Sequence, residues 1–263
     1  MPELPEVELF KEYLDLTSLN TKIKEVKVKN PEILGNISVK EFENKLKDRI
    51  FISTYRHGKY VFIKTDANFW VIIHFGMTGN LKYFDNINNE PSHSRILITF
   101  GNGYYLSYDC QRKFGEVDIT KTVEDFVIAK NLGPDVLNLD FKNFKKILEK
   151  RTGKIKSVFM NQHIIAGLGN LYTDEILFQA EINPNSKINK IDEESLKKIF
   201  REIKKVLRIS IDRKTNFENF PNNYLIPHRS KGGKCPKGDK DLKIIKISGR
   251  TTYYCPRHQK ELK

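Results

Sequence analysis

Cysteine, methionine and tryptophan are scarce in this sequence of 263 residues, which contains three, three and one of them. Three cysteines are too few, and an odd number, for a secreted fold held together by disulfides. The sequence has no run of about 18 apolar residues, so no segment is predicted to span a bilayer. The first ten residues contain three glutamates and no basic residue, which excludes a secretory signal. We therefore expect a protein of a reducing compartment, the cytoplasm, associated with the nucleoid if the source is a prokaryote.

Positive charge is in excess. Lysine and arginine number 46 against 33 acidic residues, a formal net charge of +13, which favours a polyanionic partner. Residues 229–263 alone contain 11 basic and 3 acidic residues. Such a run is often only a solvated surface or tail, but here apolar residues are interleaved with it on both sides of Ser248-Gly249. This pattern predicts a basic β-hairpin that contacts phosphates.

The first half of the chain has the pattern of a β-sandwich that follows one helix. A helix is predicted over residues 2–16, with Pro2 at its first position and glutamates in its first turns. A second, short helix is predicted near 39–46. Short β-like runs separated by turn-rich segments predict an antiparallel sandwich. These runs are 23–28, 51–65, 69–77, 80–84, 95–100, 104–108 and 115–119.

The periodicity becomes helical beyond residue 140, with predicted helices at 141–150, 155–161, 171–181 and 195–211. The fold class is therefore α+β: a leading helix and antiparallel sandwich, then a helical domain, then a terminal hairpin. We place the domains at 1–122, 123–228 and 229–263.

The amino terminus offers a nucleophile. Removal of Met1 would leave Pro2 with a free secondary amine, and an α-amine has an ordinary pKa near 8. The neutral fraction of such an amine can attack a sugar C1′ and form an iminium ion. Glu3 beside it could donate the proton that opens the ring. Taken alone, proline and glutamate here are also ordinary residues for the start of a helix.

A glycine-containing segment, Leu168-Gly169-Asn170, comes directly before a predicted helix. With Asn170 as the N-cap, free backbone N–H groups at the helix start would form a phosphate site. The alternative explanation for Gly167 and Gly169 is a tightly packed helix–turn–helix connection.

Eight segments, in order along the whole chain, resemble the formamidopyrimidine-DNA glycosylase/endonuclease VIII family of base-excision repair enzymes. They are MPELPEVE at 1–8, HGKY at 57–60, HFGMTG at 74–79, RKFG at 112–115, LGPD at 132–135, IKS at 155–157, AGLGNLYTDEILF at 166–178 and GRTTYYCP at 249–256. The resemblance implies a catalytic sandwich domain, a helix–two-turn–helix domain and a finger hairpin. It also implies a monomer that acts on damaged double-stranded DNA.

The resemblance implies a bifunctional enzyme, a glycosylase for oxidised bases and an abasic-site lyase that proceeds by β,δ-elimination. Pro2 matches the nucleophile, Glu3 the proton-transferring acid, and Lys59 a strand lysine that supports catalysis. No cofactor is implied for catalysis, because the amine is the electron sink. The rival hypothesis is a non-catalytic binder of damaged or bent DNA; the presence of Pro2, Glu3 and Lys59 favours the enzyme.

Six further residues match DNA-binding positions of the family. Those that would fill the space left by a flipped nucleotide are Met77, Arg112 and Phe114. Those that would contact phosphates are Lys156, Asn170 and, in the finger, Arg250.

The finger departs from the family pattern of two Cys-x2-Cys zinc knuckles. Gly238 stands where the second cysteine of the first knuckle would be, and His258 ends the second knuckle. One structural zinc ion could still be bound by Cys235, Cys255 and His258, with Asp239 as the fourth ligand. A metal-free hairpin is the alternative.

Two further departures concern Cys110 and the length of one loop. Cys110 stands where many relatives have Asp or Pro, and we predict a buried structural thiol. The segment directly before Cys235, residues 214–234, contains only 21 residues. This leaves little room for the loop that caps 8-oxoguanine in the guanine-preferring branch, so the resemblance does not fix the preferred lesion.

Overall fold

A computed structural model describes residues 1–262 of the chain; Lys263, the last residue of the predicted hairpin domain, lies outside the described residues. The chain divides into two compact units. The first consists of residues 1–2 and 6–131, and the second of residues 3–5 together with the chain from Leu132 onward. The sequence prediction starts the second domain at residue 123, whereas this division lies after Asn131.

The first unit is a sandwich of two four-stranded antiparallel sheets. One sheet has the strand order β1 (Ile23–Val28), β6 (Ser94–Phe100), β7 (Tyr105–Cys110) and β5 (Gly79–Phe84). The other has the order β2 (Phe51–His57), β3 (Tyr60–Thr65), β4 (Trp70–His74) and β8 (Glu116–Thr120). Apolar side chains from both sheets form one core, and the fully buried Cys110 belongs to it, as predicted.

Three helices accompany these sheets: α1 (Leu4–Thr17), α2 (Val39–Leu46) and α3 (Val123–Ala129). α2 has the predicted bounds, and its N-cap Ser38 accepts a hydrogen bond from Glu41 N. α3 was not predicted. The Thr122 hydroxyl caps it by accepting from Asp125 N, and a Thr followed three residues later by Asp was the available signal.

Two predictions for the first unit were wrong in detail. α1 begins at Leu4, so Pro2 lies before the helix and not at its first position. The run 51–65 is two strands, because Gly58 and Lys59 form a tight turn in which Gly58 has φ +57°. That left-handed conformation favours glycine and lets the chain reverse.

As far as residue 262, the second unit contains four α-helices and one hairpin. The helices are α4 (Phe141–Glu149), α5 (Ile155–Met160), α6 (Asn170–Gln179) and α7 (Glu193–Asp212). The 20-residue helix α7 presents one apolar face to the core, and Asp192 caps its start by accepting from Ser195 N. α6 is buried around almost its whole circumference, including the charged residues Asp174 and Glu175.

The terminal hairpin pairs β9 (Lys243–Ile247) with β10 (Arg250–Tyr254). Ser248 and Gly249 both have positive φ, which is the geometry of a two-residue turn that matches the twist of the strands. The predicted hairpin and the α+β fold class are confirmed. No helix within residues 1–262 is both long and apolar enough to cross a membrane.

Candidate active site and nucleic-acid interface

Glu3 is fixed at the amino end of α6. Its side chain is buried, and its carboxylate accepts hydrogen bonds from Leu171 N at 2.8 Å and Tyr172 N at 3.3 Å. The first N–H groups of a helix have no partner within the helix, and the helix dipole favours negative charge there. The carboxylate of Glu3 therefore satisfies both groups and is held in one position.

The glycines before α6 make room for the amino-terminal segment. A β-carbon at Gly169 would lie 2.3 Å from Glu3 Cδ, and one at Gly167 would lie 2.5 Å from Leu4 Cδ1. The predicted phosphate cradle at this point was wrong in two respects. The N-cap is Gly169 and not Asn170, and the first N–H groups of α6 are engaged by Glu3.

Pro2 and Lys59 both belong to the first unit. Pro2 is half-buried and follows an exposed Met1. Lys59 lies in the turn between β2 and β3, and not on a strand as predicted, and only 7% of it is exposed. Burial, and secondly the positive charge of Lys59, lower the pKa of His74.

Met77, Arg112 and Phe114 come from two adjacent turns of the first unit. Met77 lies between β4 and β5, and the other two lie between β7 and β8. A β-carbon at Gly76 would lie 2.3 Å from the backbone of Phe114, so the two turns are in close contact. The guanidinium of Arg112 lies 5.1 Å from the centre of the Phe114 ring.

These three side chains lie outside the core. Phe114 is 58% exposed and Met77 is 38% exposed. Exposed apolar side chains can stack against bases, and an arginine beside them can donate hydrogen bonds to a base.

Lys156 does not lie at the surface. It is fully buried, and its Nζ donates to Asp174 Oδ1 at 2.5 Å and to Thr252 Oγ1 at 2.7 Å. Burial lowers the pKa of Lys156, while the Asp174 carboxylate opposes this shift. This placement departs from the phosphate contact that the resemblance implies, because the ammonium is directed into the fold.

Asn170 and Arg250 are both associated with the hairpin. The half-buried Asn170 donates from Nδ2 to the Thr251 carbonyl at 3.0 Å. Arg250 is exposed at the start of β10, directly after the turn. An arginine in this position can reach a phosphate bidentately.

The four proposed zinc ligands, Cys235, Asp239, Cys255 and His258, line one pocket but are not arranged as a metal site. Cys235 and Cys255 are buried in an apolar cluster with Phe178, and burial, then a hydrogen bond to Cys255, raise the pKa of Cys235 to about 11. His258 Nε2 lies 3.0 Å from the Phe178 carbonyl oxygen, and Asp239 is exposed. Within residues 1–262 no three Cys, His, Asp or Glu side chains are placed to hold a metal ion. These residues do not fit the four-ligand shell of a structural zinc.

Sequence reasoning overlooked two buried carboxylates of α6, Asp174 and Glu175. The signal was present, since these two acidic residues are followed directly by the apolar run Ile176-Leu177-Phe178. A buried charge needs a partner, so such residues indicate an ion pair or an anchored loop.

Comparison with known proteins relates the whole chain to one family. The model of the formamidopyrimidine-DNA glycosylase N-terminal domain matches residues 1–117, and that of its H2TH domain matches residues 132–220. The formamidopyrimidine-DNA glycosylase of Pelotomaculum thermopropionicum is 32% identical, with 99% of each chain covered. That of Ligilactobacillus salivarius is 31% identical, with 98% of this chain and 99% of the relative covered.

Solved structures agree with the sequence comparisons. Lactococcus lactis Fpg, in complex with DNA containing an abasic site, is similar with a TM-score of 0.89 at 27% identity, covering 99% of this chain and 100% of that one. MutM in complex with DNA containing carbocyclic 8-oxo-G has a TM-score of 0.89 at 28% identity, with the same coverage. Because domain models match most of the chain and relatives match nearly all of it, the chain belongs to the formamidopyrimidine-DNA glycosylase family and is a DNA glycosylase of DNA repair.

Proposed function

We propose that this glycosylase excises oxidised bases from duplex DNA and then cleaves the abasic site by β,δ-elimination, with the amine of Pro2 as nucleophile. One observation carries the proposal. Pro2 is bonded directly to Glu3, and the Glu3 carboxylate is fixed by two backbone N–H groups of α6. A candidate nucleophile therefore stands next to a positioned proton-transfer group.

The amine would act after Met1 has been removed. Its lone pair forms a bond to C1′ of the damaged nucleotide as the bond from C1′ to the base breaks, and the base leaves with a proton. Opening of the sugar ring gives an iminium ion. The iminium withdraws electrons so that loss of a C2′ proton expels the 3′ phosphate, and loss of a C4′ proton in a second elimination then expels the 5′ phosphate. Hydrolysis then frees the amine, and no cofactor is required.

Glu3 is suited to the proton transfers in this sequence. Its carboxylate is held in position by Leu171 N and Tyr172 N, and a carboxyl group can exchange a proton with the sugar ring oxygen. Lys59, held in its turn at the end of the β2–β3 hairpin, would support the chemistry through its positive charge.

The exposed group formed by Met77, Arg112 and Phe114 would occupy the space that a flipped nucleotide leaves in the duplex. Chemistry at C1′ requires the base to leave the stack, and the vacated space costs stacking energy. An apolar and an aromatic side chain restore stacking, while Arg112 pairs with the orphaned base.

Arg250 would bind phosphates beside the lesion, assisted by the positive charge of the whole chain. The net charge is +13, and the exposed hairpin carries several of its basic residues. The solved relatives described above hold DNA with an abasic site or carbocyclic 8-oxo-G, which supports damaged duplex DNA as the substrate class.

Analysis of reaction products tests the proposal. Duplexes containing 8-oxoguanine, formamidopyrimidine, thymine glycol, dihydrouracil or an abasic site are incubated with the protein. We expect base release from at least one lesion, and cleavage of the abasic duplex to fragments with phosphate at both new ends. Tight binding without base release or strand cleavage would contradict the proposal and identify a non-catalytic damage binder.

A further inference from the structure

One face of α6 contacts the terminal hairpin and the segment that follows it, with one residue from each successive turn of the helix. Asn170 Nδ2 donates to the Thr251 carbonyl at 3.0 Å. Asp174 Oδ2 accepts from Tyr253 N at 3.1 Å, and the Phe178 carbonyl lies 3.0 Å from His258 Nε2. The helix positions differ by four residues, so all three lie on the same face.

Asp174 is the centre of this row. Besides Tyr253 N, its carboxylate accepts from Lys156 Nζ at 2.5 Å and from Arg229 Nη2 at 2.8 Å. Lys156 also donates to the Thr252 hydroxyl, and the Arg229 guanidinium lies 5.0 Å from the centre of the Tyr253 ring. Each of these two cations therefore contacts both Asp174 and β10.

The burial of this group makes its geometry demanding. Asp174 is 1% exposed and Lys156 is 0% exposed. Charges removed from water are tolerated only when they are paired and hydrogen-bonded, and removing one partner is strongly destabilising. Because both cations pair with the same carboxylate and both contact β10, β10 cannot slide along α6 without breaking several of these contacts.

We propose that Asp174 is a positioning residue: it fixes the register of β10 on α6 and thereby sets the position of Arg250. The two cysteines and His258 are not placed to hold a metal ion. In this proposal, the hydrogen bonds from Asn170 and Asp174 hold the hairpin on α6. The proposed DNA contact of Arg250 comes from the proposed function, whereas the docking itself is a property of the protein without DNA.

Hydrogen exchange of the free full-length protein, followed by mass spectrometry, tests the docking. Asp174→Asn keeps the size of the side chain and an acceptor for Tyr253 N but removes the charge that pairs with Lys156 and Arg229. We expect amides of residues 243–254 to exchange on the order of a hundredfold faster, with a much smaller change in α7. Ile176→Val, a small change on a different face of α6, is the control and should leave the hairpin unchanged.

Hairpin amides that keep wild-type protection in Asp174→Asn, or a loss of protection that is equal in the hairpin and α7, would overturn the proposal. If Asp174→Asn does not fold, Thr252→Val replaces it, since this variant leaves the buried ion pairs intact. It should speed hairpin exchange by roughly tenfold, and unchanged exchange would again overturn the proposal. Chelator treatment of the wild type should leave hairpin exchange unchanged; faster exchange would assign the docking to a metal and refute this proposal.

Binding to an abasic-site duplex separates failure of the docking from failure of the proposed function. If Asp174 acts through Arg250, Asp174→Asn and Arg250→Ala weaken binding by similar factors, and the double variant is no weaker than Arg250→Ala. A hairpin loosened by Asp174→Asn with unchanged DNA affinity would support the docking and refute the DNA role of Arg250. Multiplied effects in the double variant would show that Asp174 does not act through Arg250.

Discussion

Gly169 is required to be glycine because Glu3 occupies the space that a side chain would need. A β-carbon there would lie within 3 Å of three Glu3 atoms. We expect Gly169→Ala to displace the carboxylate from α6, to reduce base excision at least tenfold and to cost about 1–3 kcal/mol of unfolding free energy. Gly238→Ala is the matched control, since nothing lies within 4 Å of a β-carbon at that position. Equal excision rates for the two variants would show that the position of the Glu3 carboxylate does not matter for base excision.

Glu175 should make stability depend on pH. Its carboxyl accepts from Ile226 N and Gln179 Nε2, both at 2.7 Å, and burial raises its pKa from 4.5 to about 7. Between these values the unfolded chain ionises Glu175 while the folded chain keeps the proton. The free energy of unfolding therefore falls as pH rises through this window, and the contribution is constant below 4.5 and above about 7.

Urea unfolding of the wild type and of Glu175→Gln between pH 4 and 8 measures this contribution, because other titrating groups are common to both proteins. We expect the stability difference between the two proteins to change by on the order of 3 kcal/mol across that range. A difference that is independent of pH would show that Glu175 has an ordinary pKa.

Single-residue placement was the least predictable level. The motif around Pro2 and Glu3 marked both residues, but only the folded chain brings Glu3 to the start of α6, because Leu171 lies far along the sequence. Lys156 shows the converse. A lone lysine in a short helix is normally predicted to be exposed. Lys156 is buried because it pairs with Asp174 and Thr252, and the apolar periodicity of the sequence gives no sign of these distant contacts.

Among the elements, the two turns that carry Met77 and Phe114 pack closely against each other, while these two side chains remain exposed. Phe114→Ala should leave the free energy of unfolding within about 0.5 kcal/mol of the wild type, since the ring is largely exposed. Excision should nevertheless fall, because the space left by the flipped nucleotide loses its aromatic filler. Ile128→Ala, at a 76% exposed position on α3, is the control for loss of exposed apolar area. An unaltered excision rate in Phe114→Ala would contradict the proposed role of the ring.

Elements with a strong local signal were predicted well. β1 and α2 have the predicted bounds: β1 is a short run with the β-branched residues Ile23, Val26 and Val28, and α2 combines an apolar pattern of helical period with a Ser38 cap. The turn at Gly58-Lys59 was missed because an uninterrupted β-like run conceals a two-residue reversal. The pairing of strands into two sheets rests on contacts between distant residues, which the local pattern does not specify.

At the scale of the whole molecule, the net charge of +13 should make DNA binding steeply dependent on salt. Arg250→Ala should weaken binding to an abasic-site duplex and reduce the slope of log K against log salt by about one. Lys197→Ala removes the same charge from an ammonium that already pairs with Glu193, and should leave the slope unchanged. If the slope and the affinity of Arg250→Ala equal those of the wild type, the hairpin does not contact phosphates.

Covalent trapping tests the central claim, that Pro2 is the nucleophile, most directly. Protein from which Met1 has been removed is incubated with an abasic-site duplex and borohydride, and the adduct is mapped by proteolysis and mass spectrometry. We expect one DNA adduct on the amino-terminal peptide, at the nitrogen of Pro2, and little adduct in protein that retains Met1. An adduct on a lysine such as Lys59, or equal trapping by the form that retains Met1, would contradict the account.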